Sequence, residues 1–282
     1  MSARGRSLAG KTAIVTGATG GVGSALAEAL VREGVKVAMT DLDQEALDRA
    51  AERIGGGVLP LALDVSDLDA YSRYVDEVEE RLGPVDILCN VAAIMPISRF
   101  HEERDEMTAR IVGVNLEAVI HSTKECGGRM IQRGSGHIVN VASGAGWLAG
   151  GGGATYVASK FGVVGYSESV SLELRGTGVD ITVVAPAVIK SQMSAGLKDV
   201  RGVRAVEPSE VATAIVGVLK RPRFAVFVPK AIGVMEMGFS AIPYPVRHFL
   251  SRLAKTDTIL LEADPSARIE YESRVAGPVN HT

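Results

Sequence analysis

Apolar and polar positions follow two different periods along the first 230 residues of this 282-residue chain. Short apolar runs rich in β-branched residues are typical of buried strands, whereas apolar residues repeated every three or four positions are typical of helices. The strand-like runs are "KTAIVTG", "VKVAMTD", "GVLPLALDV", "VDILCNVAA", "GHIVNVAS", "VDITVVAPAV" and "RFAVFVP". The pattern therefore predicts about seven strands.

Helical periods lie between these runs. They include "SALAEALVREG", which Gly34 closes, "LDAYSRYVDEVEERLG", "EMTARIVGVNLEAVIHSTKECGGRMIQRG" and "YVASKFGVVGYSESVSLELRGTG", and Pro208 is suited to open one more. A strand, a crossover helix and a second strand within about thirty residues form a βαβ unit, whose strands are parallel. The alternation predicts an α/β fold, a doubly wound parallel sheet of the Rossmann type with helices on both faces.

The alternation also suggests where the domain ends. We expect residues 1–230 to form a single domain and residues 231–282 to form an extension that packs on the domain, on a partner subunit or at a membrane surface. Residues 231–255 are apolar with three basic residues near the end, as in an interfacial anchor, but two prolines and a glutamate interrupt them. Soluble packing is therefore favoured over peripheral membrane contact. In residues 188–206 the periodicity fades, which predicts a substrate lid.

Composition narrows the choice of partner. The net charge of −3 and the absence of a Lys/Arg block give no reason to expect nucleic acid, so a small molecule is the expected partner. Cys89 and Cys126 are too few for a disulfide framework and predict reduced, buried thiols. The amino terminus lacks a signal-peptide apolar run, which favours a cytoplasmic location, and the five histidines show no spacing that predicts a metal site.

The glycine-rich stretch "TGATGGVG" joins the first predicted strand to the first predicted helix. Gly17, Gly21 and Gly23 would permit a tight turn, bring backbone N–H groups close to a pyrophosphate and aim the helix N-terminus at its charge. Asp41 ends the second strand, near the offset of ~20 residues at which an acid binds the adenosine ribose. A simple turn or N-cap role is the alternative for Asp41.

A tyrosine and a lysine stand four residues apart directly after a run of glycines. Tyr156 and Lys160 would share one face of a helix, and Ser143 lies thirteen residues earlier at the end of a strand. With the glycine loop and Asp41, this set resembles the classical short-chain dehydrogenase/reductase family. The resemblance covers roughly residues 8–230.

The resemblance implies specific chemical roles. Tyr156 would be the general acid/base, Ser143 would position the substrate oxygen, Lys160 would hold the nicotinamide ribose, and Asn115 would support a water-linked proton relay. A free phenol has a pKa near ~10, so Lys160 and the cofactor's positive charge are expected to favour the phenolate. The carboxylate of Asp41 would repel a 2′-phosphate, which predicts NAD rather than NADP as cofactor.

The resemblance also implies a set of cofactor contacts. In this sequence they fall on Gly17, Thr19, Gly21, Val22, Gly23, Asp41, Leu42, Asp64, Val65, Asn90, Ala92, Tyr156, Lys160, Pro186, Ile189 and Ser191. The sequence departs from the family pattern in three places: "NVAA" follows the fourth strand where Asn-Asn-Ala-Gly is common, Pro186 is followed by alanine instead of glycine, and Ser191 stands where threonine is usual.

The implied reaction is the interconversion of a secondary alcohol and a ketone, and apolar residues near the site suggest a lipophilic substrate. We expect substrate contacts from Ser143, Met95, Trp147, Tyr156 and Met193. An NAD-binding sensor or scaffold with little turnover is the alternative. The glycines at 150–153 fit a mobile loop or a plain connector equally well, and the resemblance implies a homodimer or homotetramer.

Overall fold

A computed structural model describes residues 5–197, 204–231 and 260–276, together with 233, 242–243, 245–246, 252 and 258. Seven parallel strands form one sheet in the order β3-β2-β1-β4-β5-β6-β7. The strands are β1 (Thr12–Thr16), β2 (Lys36–Thr40), β3 (Val58–Pro60), β4 (Val85–Asn90), β5 (Gly136–Val141), β6 (Val179–Pro186) and β7 (Ala225–Val228). This is the predicted doubly wound sheet.

Helices connect the strands and cover both faces of the sheet. They are α1 (Gly21–Arg32), α2 (Gln44–Ile54), α3 (Leu68–Leu82), α4 (Asp105–Val112), α5 (Ala118–Arg133), α6 (Ala154–Glu173), α7 (Pro208–Lys220) and α8 (Ile269–Ala276). As predicted, Pro208 is the first residue of α7 and Gly34 follows α1 with a left-handed φ of 77°. Within the described part of the chain, no helix combines the length and the apolar character needed to cross a bilayer.

Alternate strand residues supply two separate cores, one on each side of the sheet. Helices α1, α2 and α7 pack on the face that carries Ala13, Val15, Val37, Met39, Ile87, Cys89 and Val139. Helices α3, α5 and α6 pack on the face that carries Ile14, Ala38, Leu88 and Ile138. Because consecutive side chains point to opposite faces, a strand buried on both sides is apolar throughout, as the sequence runs indicated.

The third strand is shorter than the sequence predicted. The run "GVLPLALDV" spans nine positions, but only Val58–Pro60 form a strand, at the edge of the sheet. Pro60 has no N–H to donate and an edge strand has one neighbour only, so the ladder is weakly held there. Helix α2 was not predicted separately; Asp43 marks its start, since its carboxylate accepts a hydrogen bond from the N–H of Ala46 at 3.1 Å.

The strand order reverses between β1 and β4. Strands β2 and β3 extend the sheet on one side of β1, whereas β4 to β7 extend it on the other. Neighbouring crossovers therefore leave in opposite directions and open a crevice at the carboxyl ends of β1 and β4, which is where ligands bind in folds of this kind. Most of the predicted site residues lie at or after the carboxyl ends of β1 to β6.

Candidate active site

The glycine loop after β1 forms an anion cradle. Gly17 has a φ of 65°, and a Cβ added there would lie 2.8 Å from the Cα of Ala92. A Cβ at Gly23 would overlap the carbonyl oxygen of Gly17. Helix α1 starts after Gly20 with no side-chain cap and no acidic residue in its first turn. Its first N–H groups are thus available to a negatively charged group, as a pyrophosphate requires.

Asp41 lies beside this cradle at the end of β2. Its Oδ2 accepts hydrogen bonds from the N–H of Thr19 at 3.0 Å and from the Thr19 hydroxyl at 2.5 Å, and its Oδ1 accepts from the N–H of Leu42 at 2.9 Å. The structure therefore brings together three predicted cofactor residues. Asp41 is not the N-cap of α2, because Asp43 takes that place.

Asp64 and Val65 lie in the loop that follows β3, close to Asp41. The N–H of Leu63 donates to the Asp41 carbonyl oxygen at 2.9 Å, which fixes the neighbouring backbone. The Asp64 carboxylate accepts from the N–H and the hydroxyl of Ser66, at 2.9 and 2.6 Å, and Val65 is buried. The Asp64 side chain thus stabilises a local turn.

Asn90 and Ala92 follow β4 and have different surroundings. The buried Asn90 side chain donates to Asn140 Oδ1 at 2.9 Å and accepts from the Ser122 hydroxyl at 3.0 Å, so it cross-links the sheet to α5. Ala92 donates its N–H to the Thr16 hydroxyl at 3.0 Å and lies against Gly17. Ala92 therefore borders the glycine cradle, whereas the Asn90 side chain faces the core.

The residues predicted after β6 lie along the outer side of the crevice. Pro186 pairs with Val228, and Ile189 forms a parallel bridge with Val206. Ser191 begins a short 3-10 turn, and its N–H donates to the Ser194 hydroxyl at 3.2 Å. Residues 198–203, the centre of the predicted lid, lie outside the described residues.

Tyr156 and Lys160 lie on the first two turns of α6, beside the end of β5. Their side chains are buried, and the Lys160 Nζ is 5.8 Å from the centre of the Tyr156 ring. Lys160 Nζ donates to the Val141 carbonyl oxygen at 3.0 Å. A Cβ at Gly146 would lie 2.9 Å from the Lys160 carbonyl oxygen, so this glycine lets the segment after Ser143 pack directly on α6.

Burial controls the protonation of both groups. It raises the pKa of Tyr156, and a hydrogen bond with Ser143 acts in the opposite direction. Burial lowers the pKa of Lys160 to about 8. The expected lowering of the phenol pKa is thus not produced by the protein residues alone, since desolvation of the phenolate exceeds the effect of its neighbours.

Asn115 lies in a π-helical turn, Gly113–Glu117, between α4 and α5. Its side-chain amide donates to the Ile94 carbonyl oxygen at 2.9 Å and to the Ser159 hydroxyl at 3.2 Å, and its Oδ1 accepts from the N–H of Ile94 at 2.8 Å. Such turns within helices are common at functional sites. The Asn115 side chain thus connects the loop after β4 to α6, next to Lys160.

Two of the three predicted apolar substrate contacts lie with the tyrosine. Met95 and Met193 share an apolar cluster with Tyr156 and Leu260. Trp147 instead belongs to a separate cluster, where its ring centre is 5.5 Å from that of Phe227. The sequence placed Trp147 near the site because it follows Ser143 closely, but the short turn after Ser143 directs it towards β7.

The glycine run before α6 is closely packed against residues from the far end of the chain. A Cβ at Gly152 would lie 2.9 Å from the N atom of Leu261, and a Cβ at Gly153 would lie 3.0 Å from a methyl group of Leu260. The run is thus a contact surface and not a free connector. Sequence reasoning missed Leu260; four consecutive glycines were the available signal for such a close approach.

Comparison with known proteins agrees with this geometry. The family model described as short chain dehydrogenase matches residues 11–201. The 3-oxoacyl-(acyl-carrier-protein) reductase FabG of Vibrio harveyi is 32% identical over 218 residues, which cover 74% of this chain and 89% of the relative. Sorbitol dehydrogenase of Cereibacter sphaeroides is 36% identical over 186 residues, which cover 66% of this chain and 73% of the relative.

Solved structures show the same fold. A short-chain dehydrogenase/reductase from Burkholderia phymatum in complex with NAD superposes with a TM-score of 0.76 and 27% identity, covering 82% of this chain and 93% of that one. A metagenomic short-chain oxidoreductase in complex with NADP gives a TM-score of 0.70 and 31% identity, covering 79% and 98%. The chain is an oxidoreductase acting on CH–OH groups, and it belongs to the classical short-chain dehydrogenase/reductase family.

Proposed function

We propose that the protein interconverts a secondary alcohol and a ketone with NAD(H), and that Tyr156 moves the proton. One observation carries the proposal: a buried phenol has both the Ser143 hydroxyl and the Lys160 ammonium as neighbours at the carboxyl end of the sheet. When bound, the nicotinamide ring supplies the acceptor or donor of the hydride.

The protein residues supply orientation and proton transfer. In the reductive direction the Ser143 hydroxyl holds the substrate oxygen, and the neutral phenol of Tyr156 protonates it. In the oxidative direction the phenolate takes the alcohol proton. Lys160, whose pKa burial lowers to about 8, is mostly protonated at neutral pH and stabilises the developing phenolate. Asn115 connects the loop after β4 to α6 through its hydrogen bonds, and it supports the proton relay through Lys160.

NAD is the proposed cofactor because of Asp41. Its carboxylate lies where the glycine cradle and β2 meet and would accept from the ribose 2′-hydroxyl, whereas it would repel a 2′-phosphate. The wider set of cofactor contacts named from the sequence is part of this proposal. The fit of the cradle supports it, since Gly17 and Gly23 leave no room for a Cβ.

The cofactor choice can be tested by replacing Asp41 with alanine. We expect the ratio of NADPH to NADH affinity to rise by about tenfold or more, because one charge repulsion and one ribose acceptor are lost together. Fluorescence titration with both nucleotides measures the ratio. Asp43→Ala is the matched control: it removes the adjacent carboxylate, which caps α2, and should cost stability without changing the ratio. Equal ratios in the two variants would overturn the assignment of Asp41.

The proposed substrate is lipophilic. Met95, Met193 and Leu260 line the side of the site that carries Tyr156. The related reductase of Vibrio harveyi is named for an acyl substrate and the relative of Cereibacter sphaeroides for a polyol. The apolar lining favours the less polar of these two kinds of substrate, because burial of apolar surface drives such binding.

The activity test follows NADH absorbance with the purified protein, NAD and a graded panel of secondary alcohols from short aliphatic alcohols to steroids. We expect turnover that increases with the apolar surface of the alcohol. Parallel assays use NADP as cofactor. Binding of NADH without turnover across the panel would contradict the proposal and favour the sensor or scaffold alternative.

Three further proposals concern the oligomeric state, the cellular location and the domain organisation of the protein. We propose a homodimer or homotetramer through α5 and α6, and exposed Phe161 and Leu172 on α6 support it. We propose a cytoplasmic location, which the free, buried thiols of Cys89 and Cys126 support. We also propose residues 1–230 as the dinucleotide-binding and catalytic domain. Most of residues 231–255, for which membrane contact was considered, lie outside the described residues.

A further inference from the structure

A buried arginine near the carboxyl terminus joins two loops of the site. We call residues 260–276 the C-terminal segment, residues 94–98 the β4 loop and residues 193–197 the β6 loop. The Arg268 side chain lies in the C-terminal segment and is only 2% exposed. One terminal nitrogen donates to the carbonyl oxygens of Met193 at 2.7 Å and Ala195 at 3.1 Å, and the other donates to that of Met95 at 2.8 Å.

The charge of Arg268 is balanced within the same segment. Its Nε donates to Glu272 Oε1 at 2.9 Å, and the same carboxylate oxygen accepts from the N–H of Ile97 at 3.3 Å. A buried guanidinium requires such partners, because desolvating an unpaired charge is costly. The planar group with five N–H donors can reach both loops at once, which a lysine ammonium with one nitrogen cannot do.

Other contacts fix the C-terminal segment to the same loops. The Tyr271 hydroxyl accepts a hydrogen bond from the N–H of Met95 at 2.7 Å, and the N–H of Asp264 donates to the Gly196 carbonyl oxygen at 2.9 Å. A Cβ at Gly196 would lie 3.3 Å from the Cβ of Ala267 and closer still to Asp264. The β6 loop therefore approaches the C-terminal segment through its backbone.

The two methionines whose carbonyl oxygens bind Arg268 also belong to the apolar cluster that contains Tyr156. Arg268 binds Met95 and Met193 through their carbonyl oxygens, and both side chains share a cluster with Tyr156. The guanidinium therefore sets the spacing of two loops on the substrate side of the site. The glycine cradle, Asp41 and Ser191 make no hydrogen bond to Arg268, so this effect concerns the substrate and not the nucleotide.

We propose that Arg268 is a positioning residue that determines substrate fit: it holds the β4 loop and the β6 loop together, so that the C-terminal segment forms the outer wall of the substrate site. The substrate part of this inference rests on the proposed function. The hydrogen bonds to the two loops do not, and they can be tested without a substrate.

The test compares Arg268→Met with Arg274→Met in the full-length protein. Both arginines lie over the Tyr271 ring, at 5.1 and 5.8 Å, but Arg274 is exposed and has no hydrogen bond to either loop. The first measurement is amide hydrogen exchange with saturating NADH. We expect exchange in the β4 and β6 loops to rise about tenfold or more in Arg268→Met and to stay unchanged in Arg274→Met. Unchanged exchange in both loops of Arg268→Met would overturn the proposal.

The second measurement separates binding from chemistry. With the best alcohol of the panel, we expect Arg268→Met to raise KM about tenfold or more, with kcat within about threefold and the Kd for NADH unchanged. An equal loss of kcat and NADH affinity would overturn the positioning role, because it would indicate a general loss of structure. If no alcohol is turned over, the proposed function fails, whereas the exchange measurement still decides the role of Arg268.

A conservative variant covers the case in which Arg268→Met does not fold. Arg268→Lys retains the positive charge beside Glu272 but cannot bind both loops with separated nitrogens. We expect faster exchange in one or both loops in this variant. Wild-type exchange in both loops would show that charge alone suffices and would overturn the proposal.

Discussion

The site has two parts of different construction. The glycine cradle and Asp41 form the nucleotide side, and the β4 loop, the β6 loop and the C-terminal segment form the substrate side. On the nucleotide side, Thr19 binds Asp41, which is 22 residues away, and both belong to the first βαβ unit. On the substrate side, Met95 binds Tyr271, which is 176 residues away. The nucleotide side is thus formed within one local unit, whereas the substrate side depends on contacts with the C-terminal segment.

The difference shows which part of the site belongs to the whole family. The family model matches residues 11–201, so it includes the glycine cradle, Asp41 and the tyrosine, but it ends before the C-terminal segment begins. The substrate wall thus contains residues that the family match does not cover. The nucleotide cradle thus lies wholly within the family match, whereas the proposed substrate wall combines residues inside the match with residues beyond it.

The tyrosine lies where the two sides meet, and its loss should have the largest effect. We expect Tyr156→Phe to lower kcat by about 10²–10⁴-fold, because the phenylalanine cannot exchange a proton with the substrate oxygen. NADH binding and thermal stability should be retained. Tyr166→Phe is the control on the same helix; its hydroxyl donates to the Ile120 carbonyl oxygen at 3.3 Å, away from the site. Steady-state kinetics of both variants would decide the role, and equal kcat values for Tyr156→Phe and the wild type would refute it.

An added Cβ in the glycine cradle should destabilise the protein and weaken nucleotide binding. Gly17→Ala places a Cβ 2.8 Å from the Ala92 Cα, at a φ of 65°. Gly10→Ala is the control, since Gly10 has a φ of 79° with no atom near the added Cβ. We expect Gly17→Ala to cost about 1–3 kcal/mol more in unfolding free energy than Gly10→Ala, and to weaken NADH binding. Equal costs in urea unfolding would mean that only the backbone conformation matters at Gly17.

The stability of the protein should also depend on pH through Lys160, which lies next to Tyr156 where the two sides meet. Burial lowers the pKa of Lys160 to about 8, so between pH 8 and the ordinary lysine pKa the unfolded chain binds more protons than the folded one. The unfolding free energy of the cofactor-free protein should therefore rise with pH over this window, by about 2 kcal/mol up to pH ~9.5. Urea unfolding of the wild type and Lys160→Met at several pH values measures this; parallel curves would show that Lys160 is solvated.

The smallest change in stability is expected from an added Cβ on the substrate side. Gly152→Ala adds a Cβ 2.9 Å from the Leu261 N atom, at a φ of 96°. Gly55→Ala is closely matched, because Gly55 has a φ of 92° and open space around the added Cβ. We expect Gly152→Ala to cost about 1 kcal/mol more than Gly55→Ala and to increase protease cleavage near residue 260. Cleavage equal to that of Gly55→Ala would indicate that the C-terminal segment does not rest on the glycine run.

The sequence predicted those features of the fold and the site that depend on local patterns in the chain. Apolar periods indicated the seven strands, and the spacing of Ser143, Tyr156 and Lys160 indicated the residues that meet beside β5. The position of Trp147 could not be predicted, because a short turn after Ser143 decides its direction. The wall formed by Arg268 and Leu260 could not be predicted either, since no local pattern pairs residues so far apart in the chain.

The order of synthesis gives the position of Arg268 a consequence for the newly made protein. Translation releases the β1–α1 unit before the C-terminal segment, and domains generally fold from the amino terminus during synthesis. The nucleotide cradle can thus form while the C-terminal segment is still on the ribosome. The substrate wall is complete only after residue 276 has emerged, so a chain cut short before residue 260 would hold nucleotide beside an open cleft.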